Sequence, residues 1–362
     1  MKSKKSILVL IILTFIFILL YTILAARPLG VDHQFNPEWK INITNPTIKN
    51  IAPTNNYKSF KLGQSLGYFT EDGDIIFYKT FPSKAAVSDH FFATYSTDAD
   101  KTIIYDYLGN EKGELEAAGF PNFFEDRIYV FLPGGNSFVM ADSSGKTLWK
   151  VENTIPITAF SSKSAYTAAG YADGTIKIIN NATGIVEVNY APGGSDYPII
   201  LGLDVSEDGQ YIASISGHNR QRFVLSKKEN NQPKIIYHRF LDSDVKQQTL
   251  VKFCDNDSKV IYNMEKSAGI YDLALKQDKT FNLKNKNSPY DNTRLISISE
   301  SDNLIFLLGK CKEAYTVYIF EKNNSLAGTF CFNASSAFLS IMNEELYIGK
   351  DLSISKISLS QY

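Results

Sequence analysis

Residues 137–151 have the sequence SFVMADSSGKTLWKV, and this stretch decides the fold. Two short apolar runs, Ser137–Asp142 and Lys146–Val151, flank the polar segment Ser143–Gly145. Gly145 accepts the positive φ that a tight turn needs, because glycine has no Cβ. Runs rich in Val, Phe and Trp on either side of such a turn are typical of a β-hairpin. The stretch therefore predicts two antiparallel strands.

The same arrangement recurs along the chain, with short apolar runs separated by turns rich in Gly, Asp, Asn and Ser. Six groups of such runs begin near residues 86, 122, 157, 199, 247 and 292. The groups are spaced by about 35–48 residues, which is close to the repeat of a β-propeller blade. A two-sheet β-sandwich is the competing fold. It explains the turns but not the regular spacing.

The two ends of the sequence supply strands for the rest of the ring. Leu66–Thr70 and Ile75–Phe81 precede the first group, and Ala337–Ile341, Leu346–Gly349 and Ser353–Leu359 follow the last. Strands from both ends would close the ring as one blade, because an open ring exposes sheet edges. We therefore predict an all-β, seven-bladed β-propeller. Eight blades result if each end forms a blade of its own.

Two stretches resemble known propeller repeats. In Phe138–Lys150 a strand ends in Asp142, a glycine turn follows and Trp149 opens the next strand, which resembles the repeat of quinoprotein-like propellers. A tryptophan at this place offers a flat face to the neighbouring blade. Val205–Ala213 is similar to the inner hairpin of WD-repeat-like propellers, although the chain has no Trp-Asp dipeptide. The resemblance implies a fold and does not by itself imply a chemistry.

Quinoprotein dehydrogenases use pyrroloquinoline quinone with calcium, so the resemblance raises the question of a cofactor. The sequence has no vicinal cysteine pair and only two tryptophans, Trp39 and Trp149. The acidic turns Asp72–Asp74 and Asp255–Ser258 lack the longer pattern that supplies about 6–8 oxygen ligands to calcium. No C-x-x-C or H-x-x-x-H motif occurs, so we predict no cofactor, no metal site and no catalytic residue. Non-enzymatic relatives in bacterial outer-membrane assembly imply a scaffold.

The N-terminal residues predict where the protein works. Residues 6–26 carry no charged side chain, and lysines occupy positions 2, 4 and 5. About 20 apolar residues suffice to cross a bilayer, and preceding lysines keep that end in the cytoplasm. Cleavage after Ala25-Ala26, as in a signal peptide, is the alternative. We predict a cytoplasmic end over residues 1–5, a transmembrane signal anchor over residues 6–26, a Pro-rich linker over residues 27–57 and the propeller over residues 58–362.

Composition argues against a nucleic-acid surface and against a disulfide framework. The 37 basic and 38 acidic residues nearly balance, which argues against nucleic acid as a partner, since a nucleic-acid surface requires a basic excess. The three cysteines, Cys254, Cys311 and Cys331, are too few for a disulfide framework. A bridge between Cys311 and Cys331 requires neighbouring strands; otherwise all three are expected to carry thiols.

The turns that join the second and third strands of each blade share one face of a propeller and surround its channel. Mixed charges on such a face suit a protein partner or a polar peptide better than a phosphate or a metal. The alternative is that these turns are ordinary solvated hairpin tips. The turn residues that we expect on this surface are Asp98, Asp100, Asn136, Asp173, His218, Arg220, Lys312 and Glu313.

The apolar N-terminal segment, the strand period and the absence of a catalytic motif predict a membrane-anchored, extracytoplasmic propeller. We expect one pass through the inner membrane with the N terminus inside, and a non-enzymatic role in binding or scaffolding envelope proteins. The alternative function is a propeller enzyme, a hydrolase or lyase, with His218 and neighbouring acids on the channel face. A ligand sensor that signals through a membrane partner is a third hypothesis, and the sequence names no small-molecule ligand.

Overall fold

The computed structural model describes residues 4–25, 33–44, 56–97, 102–230, 232–283 and 293–361. Contacts divide the chain into two units, Met1–Asn36 with Leu359–Tyr362, and Pro37–Ser358. The first unit contains helix α1, Lys4–Ala25. Within the described residues, no helix is both long and apolar enough for a membrane crossing. The transmembrane segment expected over residues 6–26 is therefore not found in that part of the chain.

The described strands form eight β-sheets, which we number as blades 1–8 in chain order. Strand β1 covers His33–Asn42 and belongs to blade 8. Blade 1 contains β2 (Tyr57–Leu62), β3 (Ser65–Thr70) and β4 (Ile75–Thr80). Blade 2 contains β5 (Lys84–Val87), β6 (Phe91–Tyr95), β7 (Ile103–Asp106) and β8 (Glu111–Glu114). Blade 3 contains β9 (Phe120–Phe124), β10 (Arg127–Phe131), β11 (Phe138–Ala141) and β12 (Thr147–Val151).

The remaining blades follow the same order. Blade 4 contains β13 (Ile157–Ser162), β14 (Tyr166–Tyr171), β15 (Ile176–Asn180) and β16 (Val186–Tyr190). Blade 5 contains β17 (Tyr197–Val205), β18 (Tyr211–His218), β19 (Arg222–Glu229) and β20 (Gln232–Phe240). Blade 6 contains β21 (Val251–Cys254), β22 (Lys259–Asn263), β23 (Ser267–Asp272) and β24 (Gln277–Asn282). Blade 7 contains β25 (Arg294–Glu300), β26 (Leu304–Cys311), β27 (Ala314–Glu321) and β28 (Leu326–Asn333). Blade 8 contains β29 (Ala337–Met342), β30 (Glu345–Lys350) and β31 (Ser353–Gln361), with β1 beside β31.

The eight sheets show that the predicted number of seven blades is wrong. The sequence predicts that β3 and β4 share a blade with the C-terminal strands, but they form blade 1 with β2. Blade 8 takes its fourth strand from β1, inside the segment 27–57 that was expected to be a linker. Just after β1, the Ile43 N–H donates to the Leu352 carbonyl at 2.9 Å. Pro37 fits because β1 is an edge strand, where a missing N–H can face away from the ladder.

The burial of each strand follows its place in the blade. Middle strands such as β22 are buried along their whole length, because both of their faces contact neighbouring blades. Outermost strands such as β20 alternate between exposed and half-buried residues. Phe223 of blade 5 stacks on Tyr262 of blade 6, with ring centroids 4.0 Å apart and an interplanar angle of 4°. Both side chains are completely buried, so the core of this fold lies in the clefts between blades.

The hairpin over residues 137–151 forms as predicted. Strands β11 and β12 are antiparallel, and Gly145 has a φ of 91°. Trp149 donates from Nε1 to the Asn181 carbonyl of blade 4 at 2.7 Å, so its ring contacts the neighbouring blade. A Cβ on Gly184 would approach the Trp149 ring to 2.6 Å. The glycine therefore allows the tryptophan to pack against blade 4.

Carboxylates link consecutive blades near the turns between their first and second strands. In each case a backbone N–H of one blade donates to a carboxylate that lies one blade further along the chain. The donor and acceptor residues are Ser164 and Glu207 (2.8 Å), Glu207 and Asp257 (2.6 Å), Asp255 and Glu300 (2.7 Å), and Asp302 and Glu344 (2.6 Å). The partners are 42 to 50 residues apart, so the contact recurs with the blade period.

Asp255 carries the densest set of contacts among these turn residues. Its carboxylate accepts from Lys322 Nζ at 2.6 Å and also from Lys259 Nζ. Burial opposes ionisation of this group, but the hydrogen bonds from the two lysines prevail and lower the pKa of Asp255 to about 2. Its φ of 54° lies in the left-handed region, as do those of Asn256 and Asp257. Surrounding contacts must enforce such a backbone.

The structure shows no disulfide among the three cysteines. Cys311 ends β26, and Cys331 lies in β28. Strand β27 separates these two strands in blade 7. Cys311 and Cys331 therefore do not lie on neighbouring strands, as a bridge between them requires.

Candidate functional site

The structure places six of the eight predicted surface residues in turns between second and third strands. Asp98 and Asp100 lie outside the described residues. The six are Asn136 between β10 and β11, Asp173 between β14 and β15, His218 and Arg220 at the junction of β18 and β19, and Lys312 and Glu313 between β26 and β27. They occupy four blades, so they do not form one compact site.

Two of these turns use their polar groups locally. The Asp173 carboxylate accepts from the N–H of Thr175 at 3.0 Å and from its hydroxyl at 2.7 Å. This contact closes the turn of blade 4. The carbonyl of Glu313 accepts from the N–H of Ala334 at 2.9 Å and ties the turn of blade 7 to the end of β28. The chemically distinct turn is that of blade 5.

Around the blade 5 turn, two large aromatic side chains face solvent. Tyr197 starts β17 opposite His218 and is 64% exposed. Phe240 ends β20 and is 43% exposed. The Arg220 guanidinium lies 5.4 Å from the centre of the Phe240 ring, which is a cation–π distance. We call these four residues, together with Asn219, the blade 5 corner.

A buried glutamine holds the blade 5 corner in place. Gln221 is completely buried, and its Nε2 donates to the carbonyls of Gly217 at 2.7 Å and Val245 at 3.2 Å. Its Oε1 accepts from the Val245 N–H at 2.8 Å. Both polar atoms are therefore satisfied by backbone groups. The side chain ties the turn after β18 to the chain that follows β20.

Asp244 fixes the tip of the same turn. Its carboxylate accepts from the N–H of Asn219 at 2.5 Å and from the N–H of Gln221 at 3.3 Å. The Asn219 amide also donates to Asp196 Oδ2 at 2.9 Å. Asn219 and Arg220 have φ values of 58° and 59°, which is unusual for an arginine. Because such a backbone persists only under strong local constraint, the corner is preformed.

The geometry at His218 does not form an acid–base pair. Its Nδ1 lies 3.8 Å from Asp244 Oδ2, which is beyond hydrogen-bond distance, and its side chain is 52% exposed. The Asp244 carboxylate already serves two backbone donors. Across the described residues, no group of three or more His, Cys, Asp or Glu side chains could hold a metal ion. The hydrolase or lyase hypothesis gains no support from this turn.

Sequence reasoning found His218 and Arg220 but missed the rest of the corner. Tyr197 and Phe240 lie at strand ends, where an aromatic residue resembles any other strand residue. Gln221 acts on Val245, 24 residues further along the chain. No local pattern marks such a contact, so only the fold reveals it.

The eight radial sheets define the protein as a β-propeller. The chain belongs to the beta-propeller protein family, since the family model matches residues 1–362. Among relatives, an uncharacterized protein from Treponema pallidum (strain Nichols) is 26% identical, over 99% of this chain and 95% of that protein.

Solved structures share the fold at low identity. BamB from Moraxella catarrhalis superposes with a TM-score of 0.61 at 14% identity, over 90% of this chain and 100% of BamB. The computationally designed Ika8 protein superposes with a TM-score of 0.61 at 15% identity, over 84% of this chain and 94% of Ika8. At these identities the likeness is one of fold alone. It confirms the resemblance to propeller repeats that the sequence shows around residues 138–150.

Proposed function

We propose that this propeller is a non-enzymatic protein-binding or scaffolding module of the bacterial cell envelope. The blade 5 corner is the observation that carries the proposal. It exposes Tyr197, Phe240 and Arg220, with the Arg220 guanidinium 5.4 Å from the centre of the Phe240 ring. Aromatic residues and arginine supply most of the binding energy at protein interfaces, where they cluster into hot spots. A corner of this composition suits a partner with an apolar groove and an acidic rim.

The rigidity of the corner supports the same proposal. Ordering a flexible side chain or loop on binding costs about 0.5–1.5 kcal/mol for each immobilised side chain. Gln221 and Asp244 already hold the backbone of the corner in the free protein. A partner would therefore meet a surface whose backbone has little freedom left to lose.

The envelope location is proposed from the sequence. Lysines at positions 2, 4 and 5 precede an apolar run, an arrangement typical of export signals. Fusing a reporter that is active only outside the cytoplasm to the C terminus tests this location. We expect activity from that reporter. Activity solely from a matched reporter that works inside the cytoplasm would contradict the envelope assignment.

Photo-crosslinking in living cells tests the binding role. A crosslinking residue in place of Tyr197 should capture a discrete protein. The same residue in place of Leu275, which is 62% exposed at the turn before β24, is the control and should not capture it. Phe240→Ala should weaken capture at position 197 while the protein stays folded. Equal capture from both positions, or capture from neither, would refute a binding role for the corner.

A further inference from the structure

The inner strands of blades 3 to 7 line a partly open cavity that contains none of the corner residues. Side chains from β9, β13, β17 and β25, with residues 248–252 at β21, surround about 410 Å³. Small-molecule pockets commonly have volumes of about 300–1,000 Å³. Apolar groups form much of the wall, including Phe124, Phe160 and Ile296. The cavity therefore has the size and the lining of a ligand pocket.

One carboxylate belongs to the wall of this cavity. Asp204 is completely buried. The hydroxyl of Ser161 in blade 4 donates to its Oδ1, and the N–H of Phe253 in blade 6 donates to its Oδ2 at 2.8 Å. Both oxygens therefore have uncharged donors from the neighbouring blades. The role of Asp204 is to join the inner strands.

Two cations line the same cavity. Lys252 Nζ lies 4.0 Å from Asp204 Oδ2, beyond hydrogen-bond distance, and its side chain is 40% exposed. The guanidinium of Arg294 donates from Nη2 to the Gln248 carbonyl, while its Nε is buried without a hydrogen-bond partner. The described lining thus has two cationic side chains and one carboxylate. The net positive charge of this lining attracts an anion to a site that is partly open to solvent.

We infer that this cavity binds a small organic anion, a carboxylate with a short aromatic or aliphatic body. The carboxylate would lie between Lys252 and Arg294 and offset their excess charge. The planar guanidinium of arginine matches a carboxylate with two parallel hydrogen bonds. The rings of Phe124 and Phe160 would cover the apolar body, which an inorganic anion lacks. The inference is independent of the proposed protein-binding function, since it uses different residues.

Isothermal titration calorimetry on the full chain tests the ligand class with three probes. Phenylacetate carries a carboxylate and an aromatic body, phenylacetamide is its neutral isostere, and inorganic phosphate has charge without a body. We expect saturable binding of phenylacetate, with affinity at least about ten-fold weaker for the other two probes. Equal affinity for phenylacetamide would overturn the charge argument. Equal affinity for phosphate would overturn the organic ligand.

Variants place the site. Arg294→Gln should weaken phenylacetate binding at least about ten-fold. Arg294→Lys should weaken it by less, because lysine keeps the positive charge but cannot make the two parallel hydrogen bonds of the guanidinium. Lys112→Gln removes one positive charge from the exposed strand β8 and is the matched control, with no change expected. If Arg294→Gln does not fold, as judged by circular dichroism, Lys252→Gln and Arg294→Lys carry the test. An equal loss in Lys112→Gln, or no saturable binding to the wild-type protein, would refute the site.

Discussion

Replacing Gln221 with alanine should destabilise the blade 5 corner. The substitution removes three hydrogen bonds to the backbone of Gly217 and Val245. A hydrogen bond contributes about 1 kcal/mol net, and a buried polar group left without a partner costs about 1–3 kcal/mol. Two carbonyls and one N–H lose their partner at this buried position, so we expect a loss of about 3 kcal/mol.

Amide hydrogen exchange at Val245 measures this loss directly. Because about 1.4 kcal/mol corresponds to a ten-fold change, the Val245 N–H should exchange roughly 100-fold faster in Gln221→Ala. Gln277→Ala, at an exposed position that starts β24, is the matched control and should leave the Val245 rate unchanged. Photo-crosslinking from position 197 should fall in Gln221→Ala alone. An unchanged exchange rate at Val245 would refute the role of this glutamine.

Three further perturbations test the charges and the packing. We expect that lowering the pH from about 4 to about 2 reduces the free energy of unfolding of the wild-type protein by roughly 1 kcal/mol more than that of the Asp255→Asn variant. Urea unfolding measures both losses, and the figure includes an allowance for solvent screening. Because the pKa of Asp255 is lower in the folded protein, its carboxylate stabilises the fold above the ordinary aspartate pKa, and this stabilisation is lost as the pH falls through the lowered pKa. Equal losses of stability in the wild-type protein and Asp255→Asn would contradict this. Phe223→Ala should cost about 3–5 kcal/mol and lower the thermal midpoint, whereas Phe240→Ala should cost less than about 1 kcal/mol. Similar thermal midpoints for Phe223→Ala and Phe240→Ala would contradict the conclusion that the hydrophobic core lies in the clefts between blades. A thiol reagent should label the exposed Cys331 in the native protein and spare Cys254, because burial raises the pKa of the Cys254 thiol. Mass spectrometry measures the labelling, and equal labelling rates at Cys254 and Cys331 would refute the burial of Cys254.

Local patterns were enough to predict the propeller class. The hairpin around Gly145 depends on turn chemistry and on alternation within a few residues, and both are visible in one sequence. The number of blades depends on which strands pair between the two ends of the sequence. Strand β1 includes Pro37, a residue that opposes strands, and it forms because β31 offers it an edge. Nothing near Pro37 in the sequence records that partner.

The candidate site shows the same limit. His218 and Arg220 could be predicted because they follow Gly217 at a recognisable turn. Their rigidity depends on Asp244 and Gln221, which make contacts across 23 to 25 residues of the chain. The carboxylate contacts between blades repeat with the blade period, but the acidic residues vary between Asp and Glu and shift by several positions. A repeat so loose cannot be recognised without coordinates.

The pairing of β1 with β31 has a consequence for biosynthesis. Residues 33–42 leave the ribosome about 310 residues before residue 353 is made, which takes roughly 15–60 s at 5–20 residues per second. Throughout that interval both margins of the nascent sheet array lack a neighbour and can pair with other chains. A premature stop at residue 353 would remove the nine residues of β31 together with Tyr362, and it would leave β1 without its partner permanently. Strand β1 can therefore pair with β31 only after translation has reached the C-terminal strand, and blade 8 is completed at that point.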